Sequence, residues 1–175
     1  MSELAGTDTF LYFAYGSNML TRRLRAPDRA PSAVAVTRGY VTARRLTFHK
    51  PGRDGSGKCD AQASTDHEDR VYGVVFQVAL RDKPALARAE GLGNGYHEEI
   101  LEVITSARIL SARAYIASHP LPGLRPFGWY KSLALAGAVE HGLPADYVVD
   151  LDAVEAVADP DTARQAHYEA LLAVT

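Results

Sequence analysis

Residues 10–20 read FLYFAYGSNML, and this stretch decides how the fold begins. The apolar and aromatic run Phe10–Tyr15 has almost no polar alternation, which is typical of a buried strand. The run stops at Gly16, Ser17 and Asn18, where the glycine allows a ligand to approach the backbone closely. Two interpretations are open: a plain turn, or a loop of consecutive amides that holds a small anionic or carbonyl-bearing ligand.

Length and composition indicate an ordinary globular protein with one domain over residues 1–175. The chain is 47% hydrophobic and 23% charged, with a formal net charge of −2, so no basic excess predicts nucleic-acid binding. Its apolar runs are far shorter than the ~20 residues of a membrane helix, and the N-terminus lacks a signal-peptide pattern. The single Cys59 cannot form an internal disulfide, which suits a reducing compartment. We therefore expect a cytoplasmic monomer or homodimer without a nucleic-acid or membrane partner.

Strand patterns occupy the first two-thirds of the chain, and helical patterns follow. β-type residues predict strands over 10–15, within 32–50, over 71–80, over 96–105 and over 109–117. Short helices are predicted over 19–25 and 81–90, and longer ones follow Trp129. Because the strands come first and the helices last, we predict an α+β fold with a mixed or largely antiparallel sheet.

Two other patterns resemble known motifs but lack the surroundings that those motifs need. Gly52–Lys58 follows most of the phosphate-loop pattern, yet Cys59 stands where a hydroxyl should bind Mg²⁺ and no amphipathic helix follows. We interpret residues 51–60 as a mobile surface hairpin. The run His97–Glu99 lies on a predicted strand, where neighbouring side chains point to opposite faces. The histidines show no metal-ligand spacing, so neither a metal nor a cofactor is expected.

Glu90 is the second unusual feature of the sequence. It ends a predicted helix immediately before Gly91, and a carboxylate at a helix C-terminus meets the negative end of the helix dipole. That position raises the pKa of the carboxyl mildly. An exposed charge before a C-capping glycine is the simpler interpretation of these residues taken alone.

Five motifs in the same order resemble the γ-glutamylcyclotransferase family. They are FLYFAYGSNM (10–19), YGVVFQV (72–78), LARAEG (86–91), PFGWY (126–130) and EHGLP (140–144). The resemblance covers roughly residues 10–150. It implies an α+β fold whose mixed sheet curls into a partial β-barrel around one cavity, with flanking helices. Asn18 places the chain nearer to relatives that act broadly on γ-glutamyl amino acids than to those that act on glutathione alone.

The resemblance also implies a reaction and a set of site residues. The substrate's own α-amine attacks its γ-carbonyl, which releases 5-oxoproline and an amine or amino acid. The resemblance assigns proton transfer to Glu90 and needs no metal, cofactor or protein nucleophile. It assigns the γ-carbonyl oxygen to the amides of residues 15–18. The substrate-binding residues that it implies are Tyr12, Phe13, Ala14, Tyr15, Gly16, Ser17, Asn18, Tyr96 and Tyr130.

Several functions remain open from the sequence. The first is a cyclotransferase that acts on γ-glutamyl dipeptides, and the second uses the same chemistry on a larger γ-glutamyl biosynthetic intermediate. The wall that contacts the leaving group decides between these two, and one sequence does not identify it. The third is a non-catalytic module that binds a small ligand on the same fold, although the presence of Glu90 favours catalysis. Nucleotide binding at residues 52–58 is the weakest of these hypotheses.

Overall fold

The computed structural model describes residues 8–174, so residues 1–7 and 175 of the predicted single domain lie outside the described residues. The strands are β1 (Thr9–Ala14), β2 (Val34–Thr42), β3 (Arg44–Pro51), β4 (Gly57–Ala63), β5 (Arg70–Ala79), β6 (Tyr96–Ile104) and β7 (Ile109–Ala117). The helices are α1 (Thr21–Leu24), α2 (Lys83–Glu90), α3 (Gly128–Glu140), α4 (Ala145–Asp152) and α5 (Thr162–Leu172). Short 3-10 turns cover Ser17–Met19 and Leu80–Asp82.

Strand β5 is the centre of the main sheet. It pairs antiparallel with β1 along one edge and with β2 along the other. Its residues Val74, Val75 and Phe76 are at most 1% exposed, so both faces of the strand are covered. This burial explains why the sequence shows a nearly continuous apolar run here instead of alternation.

The main sheet closes into a barrel with the strand order β1–β5–β2–β6–β7. Two pairings of one residue pair each complete the closure. Strand β1 pairs parallel with β7 at Tyr12 and Arg113, and β2 pairs antiparallel with β6 at Tyr40 and Ile104. The predicted α+β fold with a mixed sheet is confirmed. The barrel is closed, whereas the family resemblance implied a partial one.

Strands β3 and β4 form a separate two-stranded hairpin beside the barrel. The prediction of a hairpin is confirmed, but the prediction of a surface loop over residues 51–60 is wrong. Strand β4 already begins at Gly57, and Cys59 and Asp60 are 2% and 1% exposed. The carboxylate of Asp60 accepts a hydrogen bond from the Ala117 amide at 2.8 Å, which fixes the hairpin to β7. A strand follows Lys58 where a phosphate loop needs a helix.

Helix α3 packs directly against the turn that follows β1. An ideal Cβ at Gly137 would lie 2.4 Å from the Leu20 amide nitrogen, so the close approach of helix and turn requires a glycine. Trp129, near the start of α3, donates to Asp159 at 2.8 Å and stacks on Tyr168 with ring centroids 3.9 Å apart. These contacts hold the first turn of α3 against α5 and the segment that precedes it.

Candidate active site

An inner cavity lies where the end of β1, the following turn, β4, α2 and α3 meet. It offers about 30 Å³ of room for water-sized molecules, enough for roughly two waters. Its lining combines one carboxylate with an unusual number of tyrosines. The lining residues are Tyr12, Tyr15, Gly16, Ser17, Asn18, Cys59, Glu90, Tyr96, Tyr115 and Tyr130.

Helix α2 delivers Glu90 to this cavity as its last residue. Gly91 follows in the left-handed conformation, with φ +72°, and thereby ends the helix as a C-capping glycine does. Leu86 lies one turn earlier and is fully buried, so it anchors α2 on the barrel. The predicted helix end at Glu90 is therefore confirmed.

Two hydrogen-bond donors contact the Glu90 carboxylate. The Asn18 side-chain amide donates to Glu90 Oε1, and the Tyr12 hydroxyl lies 3.5 Å from the same oxygen. The Asn18 amide nitrogen also lies 3.2 Å from the Tyr12 hydroxyl. Arg29 donates to Asn18 Oδ1 at 3.2 Å. Because Arg29 takes the oxygen of this side chain, the NH₂ group of Asn18 faces Glu90.

The pKa of Glu90 is raised above its ordinary value. Burial among the tyrosines is the largest cause, since a carboxylate loses hydration there. The positive charges of Arg29, Arg23 and Lys50 oppose this effect, as does the hydrogen bond from Tyr12. The residue keeps part of its surface open, so it can exchange a proton with a molecule beside it. A carboxyl of this kind can accept and return a proton closer to neutral pH than an exposed one.

The YGSN turn, residues 15–18, supplies unused backbone donors. The amides of Met19 and Leu20 donate to the carbonyls of Gly16 and Ser17, at 3.1 and 3.3 Å. The amides of Gly16, Ser17 and Asn18 donate to no protein acceptor within residues 8–174. Three consecutive unpaired amides at a cavity wall can stabilise an oxyanion.

Gly16 lies against the opposite wall of the inner cavity. An ideal Cβ at this position would lie 3.0 Å from Cys59 Cβ and 3.3 Å from the Tyr130 hydroxyl oxygen. A side chain here would therefore push β4 and α3 away from the turn. The absence of a side chain keeps the backbone amides within reach of a ligand.

The Ser17 hydroxyl is placed for binding and not for nucleophilic attack. Its oxygen accepts a hydrogen bond from Arg23 Nε at 3.0 Å. A serine nucleophile needs a neighbouring base that removes its proton, and a guanidinium is a donor without an acceptor.

Tyrosine hydroxyls bind the buried backbone of β4 on the far side. The Tyr130 hydroxyl accepts from the Cys59 amide at 3.0 Å, and the Tyr96 hydroxyl donates to the Cys59 carbonyl at 2.6 Å. Tyr15 donates to the carbonyl of Tyr115. Burial raises the pKa of Tyr130 and Tyr96 well above the ordinary value, so both remain neutral hydroxyls.

A larger cavity, here called the vestibule, opens outward from Glu90. It has about 270 Å³ of room for water-sized molecules, and it shares Ser17, Glu90, Tyr96 and Tyr130 with the inner cavity. Six cationic side chains line it: Arg23, Arg29, Lys50, Arg53, Lys58 and Arg88. The two cavities thus meet at the carboxylate, with the vestibule strongly basic on its outer side.

Neither a metal cluster nor a membrane-spanning helix is found in the described part of the chain. Across residues 8–174, no group of three or more His, Cys, Asp or Glu side chains is arranged to hold a metal ion. Within the same range no helix is long and apolar enough to cross a membrane.

Comparisons with known proteins point to one family. A family model described as the AIG2-like family matches residues 70–151. A Mus musculus protein named Gamma-glutamylcyclotransferase is 32% identical over 154 residues, which cover 85% of this chain and 80% of that protein. A Bos taurus protein of the same name is 31% identical over 153 residues, with the same two coverages. The chain belongs to the γ-glutamylcyclotransferase family.

A solved structure named Gamma-glutamyl cyclotransferase shares the fold. It superimposes with a TM-score of 0.83 at 28% identity, covering 94% of this chain and 98% of the other. The likeness extends past the YGSN turn and Glu90 to nearly the whole chain. The family resemblance predicted from the five motifs is therefore confirmed.

The inner cavity of this γ-glutamylcyclotransferase family member collects most of the predicted site residues. Phe13 and Ala14 are the exceptions, because the structure places them in the core and not in the cavity lining. Phe13 follows Tyr12 on β1 and points to the opposite face, where it is fully buried. Ala14 pairs with Val74 of β5 and is 1% exposed.

The sequence did not reveal several other residues of the site. Cys59 and Tyr115 line the inner cavity, and Arg29 and Lys50 lie close enough to affect Glu90. Cys59 was not considered a site residue because residues 51–60 were interpreted as a surface loop. The sequence carried no signal for Lys50, because its neighbours are His49 and Pro51 and no apolar pattern marks its burial. No local pattern marks Arg29, which reaches the site from the segment between α1 and β2.

Proposed function

We propose that this chain catalyses the cyclotransferase reaction, in which a γ-glutamyl amide is converted to 5-oxoproline and a free amine or amino acid. One observation carries the proposal: a partly buried carboxylate with a raised pKa lies beside three consecutive unpaired amides. The reaction needs one group that moves a proton and one that stabilises an oxyanion. Glu90 and the YGSN turn supply both.

The proton path runs through Glu90 in both directions. The substrate's α-ammonium loses a proton to the Glu90 carboxylate, and the neutral amine attacks the γ-carbonyl carbon. A new C–N bond closes the five-membered ring as the carbonyl oxygen becomes an oxyanion. The protonated Glu90 then donates its proton to the leaving nitrogen as the original C–N bond breaks. The ring nitrogen still carries two hydrogens at this point. It gives one to the regenerated Glu90 carboxylate, which passes it to the departing amine, so the amine leaves as an ammonium. Water is neither consumed nor released, and Glu90 ends as a carboxylate.

The intramolecular character of the attack lowers the demands on the protein. Orientation of two groups within one molecule can remove up to ~7–11 kcal/mol of the barrier. No protein nucleophile is needed, and the placement of Ser17 against Arg23 supports this. The amides of Gly16, Ser17 and Asn18 would accept the charge that develops on the γ-carbonyl oxygen.

The tyrosines of the inner cavity would line the γ-carbonyl end of the glutamyl group, because the cavity has room for only about two waters and the rest of the substrate extends into the vestibule. Tyr12 lies on the Glu90 side, and Tyr96 and Tyr130 lie on the β4 side. The closed aromatic wall would keep water away from the tetrahedral intermediate, which favours ring closure over hydrolysis. Tyr15 belongs to the same wall. Its hydroxyl already donates to the Tyr115 carbonyl, so Tyr15 would contact the substrate through its ring and backbone.

The site geometry favours catalysis over simple ligand binding and over nucleotide binding. A module that only binds a ligand has no need of a carboxyl with a raised pKa facing an oxyanion site. A nucleotide at residues 52–58 is disfavoured because this segment is the turn of a hairpin, in which Lys58 pairs with Asp54 at 2.8 Å.

Product analysis tests the proposal. The protein is incubated with γ-glutamyl-alanine, γ-glutamyl-glutamine and γ-glutamyl-ε-lysine in H₂¹⁸O, and products are measured by mass spectrometry. We expect 5-oxoproline without ¹⁸O from at least one compound, and its formation to be at least ~10²-fold slower with Glu90→Gln. Free glutamate that carries ¹⁸O would instead identify a hydrolase and overturn the proposal.

We also propose that the chain functions as one cytoplasmic domain over residues 1–175, as a monomer or homodimer, on a small γ-glutamyl substrate. The barrel and its flanking helices share the cavity, which supports a single functional unit. The free thiol of Cys59 is compatible with a reducing compartment. Light scattering coupled to size-exclusion chromatography distinguishes the oligomeric states.

A further inference from the structure

The six cations of the vestibule form a gradient of burial. Arg23 and Lys50 are buried, Arg29 and Lys58 are half-buried, and Arg53 and Arg88 lie towards the outer edge. Burial lowers the pKa of both Arg23 and Lys50, which means that their charged forms have lost hydration. Cations are rarely kept in such positions unless an anion compensates them.

The protein itself compensates little of this charge. Lys58 pairs with Asp54 at 2.8 Å, and Glu90 faces the inner side of the vestibule. Within residues 8–174, no carboxylate lies within 4.0 Å of the charged nitrogens of the other five cations. Six cations therefore face two carboxylates, which leaves four positive charges without an anionic partner. Of these four, Lys50 lies 4.6 Å from the ring centroid of Tyr96 and Arg23 lies 5.1 Å from that of Tyr168.

The vestibule adjoins Glu90, the group that protonates the leaving nitrogen in the proposed reaction. If the γ-carbonyl oxygen occupies the amides of Gly16–Asn18, the γ-carbonyl end of the glutamyl group lies at the inner cavity. The scissile nitrogen must then be next to Glu90, which protonates it. Beyond Glu90 the leaving group extends between Lys50 on β3, the turn residue Arg53, and Arg88 on α2.

We propose that the preferred substrates are γ-glutamyl amides of acidic amino acids, whose leaving group carries two carboxylates that bind the cations of the vestibule. This inference rests on the cyclotransferase function proposed above. An α-carboxylate and a side-chain carboxylate on one leaving group can reach two cations at once, and guanidinium–carboxylate pairs are among the stronger hydrogen-bonded contacts. A leaving group with a net positive charge is disfavoured by the same field.

A matched pair of substrates tests this inference. γ-Glutamyl-glutamate and γ-glutamyl-glutamine have the same shape and differ by one carboxylate on the leaving group. We expect kcat/KM to be roughly 10-fold or more higher for the acidic compound, mainly through a lower KM, as for loss of a charge-assisted hydrogen bond. The ratio should shrink as ionic strength rises, since Arg53 and Arg88 lie at the solvent-facing edge of the vestibule.

Charge-neutralising variants locate the effect in the vestibule. The double variant Arg53→Gln and Arg88→Gln is expected to reduce the substrate ratio at least several-fold, mainly through a higher KM for γ-glutamyl-glutamate. Arg108→Gln removes the same charge beyond the far end of β6, roughly 26 Å from Tyr96 by strand length, and should keep the ratio. An unchanged ratio in the double variant would overturn the inference.

A binding measurement separates this inference from the proposed reaction. Calorimetry on Glu90→Gln compares the affinities of the two compounds without turnover. 5-Oxoproline from both compounds at equal kcat/KM would overturn the inference and leave the cyclotransferase function standing. A preference for γ-glutamyl-glutamate in binding, with no 5-oxoproline from wild type, would support the anion site and refute the reaction.

Discussion

Replacing Glu90 with glutamine should remove turnover while leaving the fold and substrate binding nearly intact. The glutamine oxygen can still accept from Asn18 and Tyr12, which contact Oε1 of the carboxylate. What is lost is the ability to accept and return a proton. General acid–base catalysis contributes ~10²–10⁴-fold, so kcat should fall by this factor, which corresponds to about 2.7–5.4 kcal/mol of activation free energy.

The assay follows 5-oxoproline from γ-glutamyl-alanine by mass spectrometry at saturating substrate. Glu102→Gln is the matched control, because Glu102 is an exposed residue near the far end of β6 and should keep wild-type activity. The KM of Glu90→Gln should stay within a few-fold of wild type. A kcat within two-fold of wild type would refute the role given to Glu90.

The same variant should be more stable than wild type at neutral pH. The pKa of Glu90 is raised in the folded state by burial, so between its ordinary and its raised pKa the folded protein binds more protons than the unfolded one. The stability of wild type therefore falls as pH rises through this window, whereas glutamine does not titrate. The Tm difference between Glu90→Gln and wild type should be larger at pH 7 than at pH 4. The opposite trend would contradict the raised pKa.

Further predictions concern the residues around the carboxyl. Gly16→Val should reduce kcat far more than Ser17→Ala, because a Cβ would lie 3.0 Å from the facing strand; the reverse order would revive a serine nucleophile. Arg29→Gln should move the acid limb of the kcat/KM pH profile to higher pH, since this charge lowers the pKa of the catalytic carboxyl; a shift to lower pH would refute that. Tyr130→Phe should lower the free energy of unfolding by about 1–3 kcal/mol, because it leaves the buried Cys59 amide unpaired. Tyr147→Phe should leave this free energy nearly unchanged, since the buried Tyr147 hydroxyl has no partner within residues 8–174. Urea unfolding measures both values.

Features encoded by neighbouring residues were predictable from the sequence. The apolar residues of β5 were recognisable as a strand, because burial on both faces needs a continuous apolar run. The end of α2 was also recognisable, because Gly91 can adopt the positive φ that this C-cap uses. The YGSN turn was marked by the abrupt end of a buried strand. The role of Glu90 came from the family resemblance and remains a prediction that kinetics must test.

Features created by tertiary contacts were not predictable. Cys59 lies in a segment rich in glycine and charge, yet β4 is buried because Tyr96 and Tyr130 bind its backbone. Arg29 reaches Asn18 from a segment without regular structure, and side-chain orientation over such a distance leaves no periodic signal. Phe13 lies outside the lining of the inner cavity, because membership of a motif does not specify which face of the strand a residue occupies.

The most direct test of the mechanism uses γ-glutamyl-alanine and its N-acetyl derivative side by side. Acetylation removes the nucleophilic lone pair of the α-amine and leaves the scissile amide unchanged, so a hydrolase would still release alanine. Intramolecular attack predicts alanine and equimolar 5-oxoproline from the free amine, and no alanine from the acetylated compound, which should still be tested for binding by competition. Alanine released from the N-acetyl compound at a comparable rate would contradict the mechanism and the role of Glu90 within it.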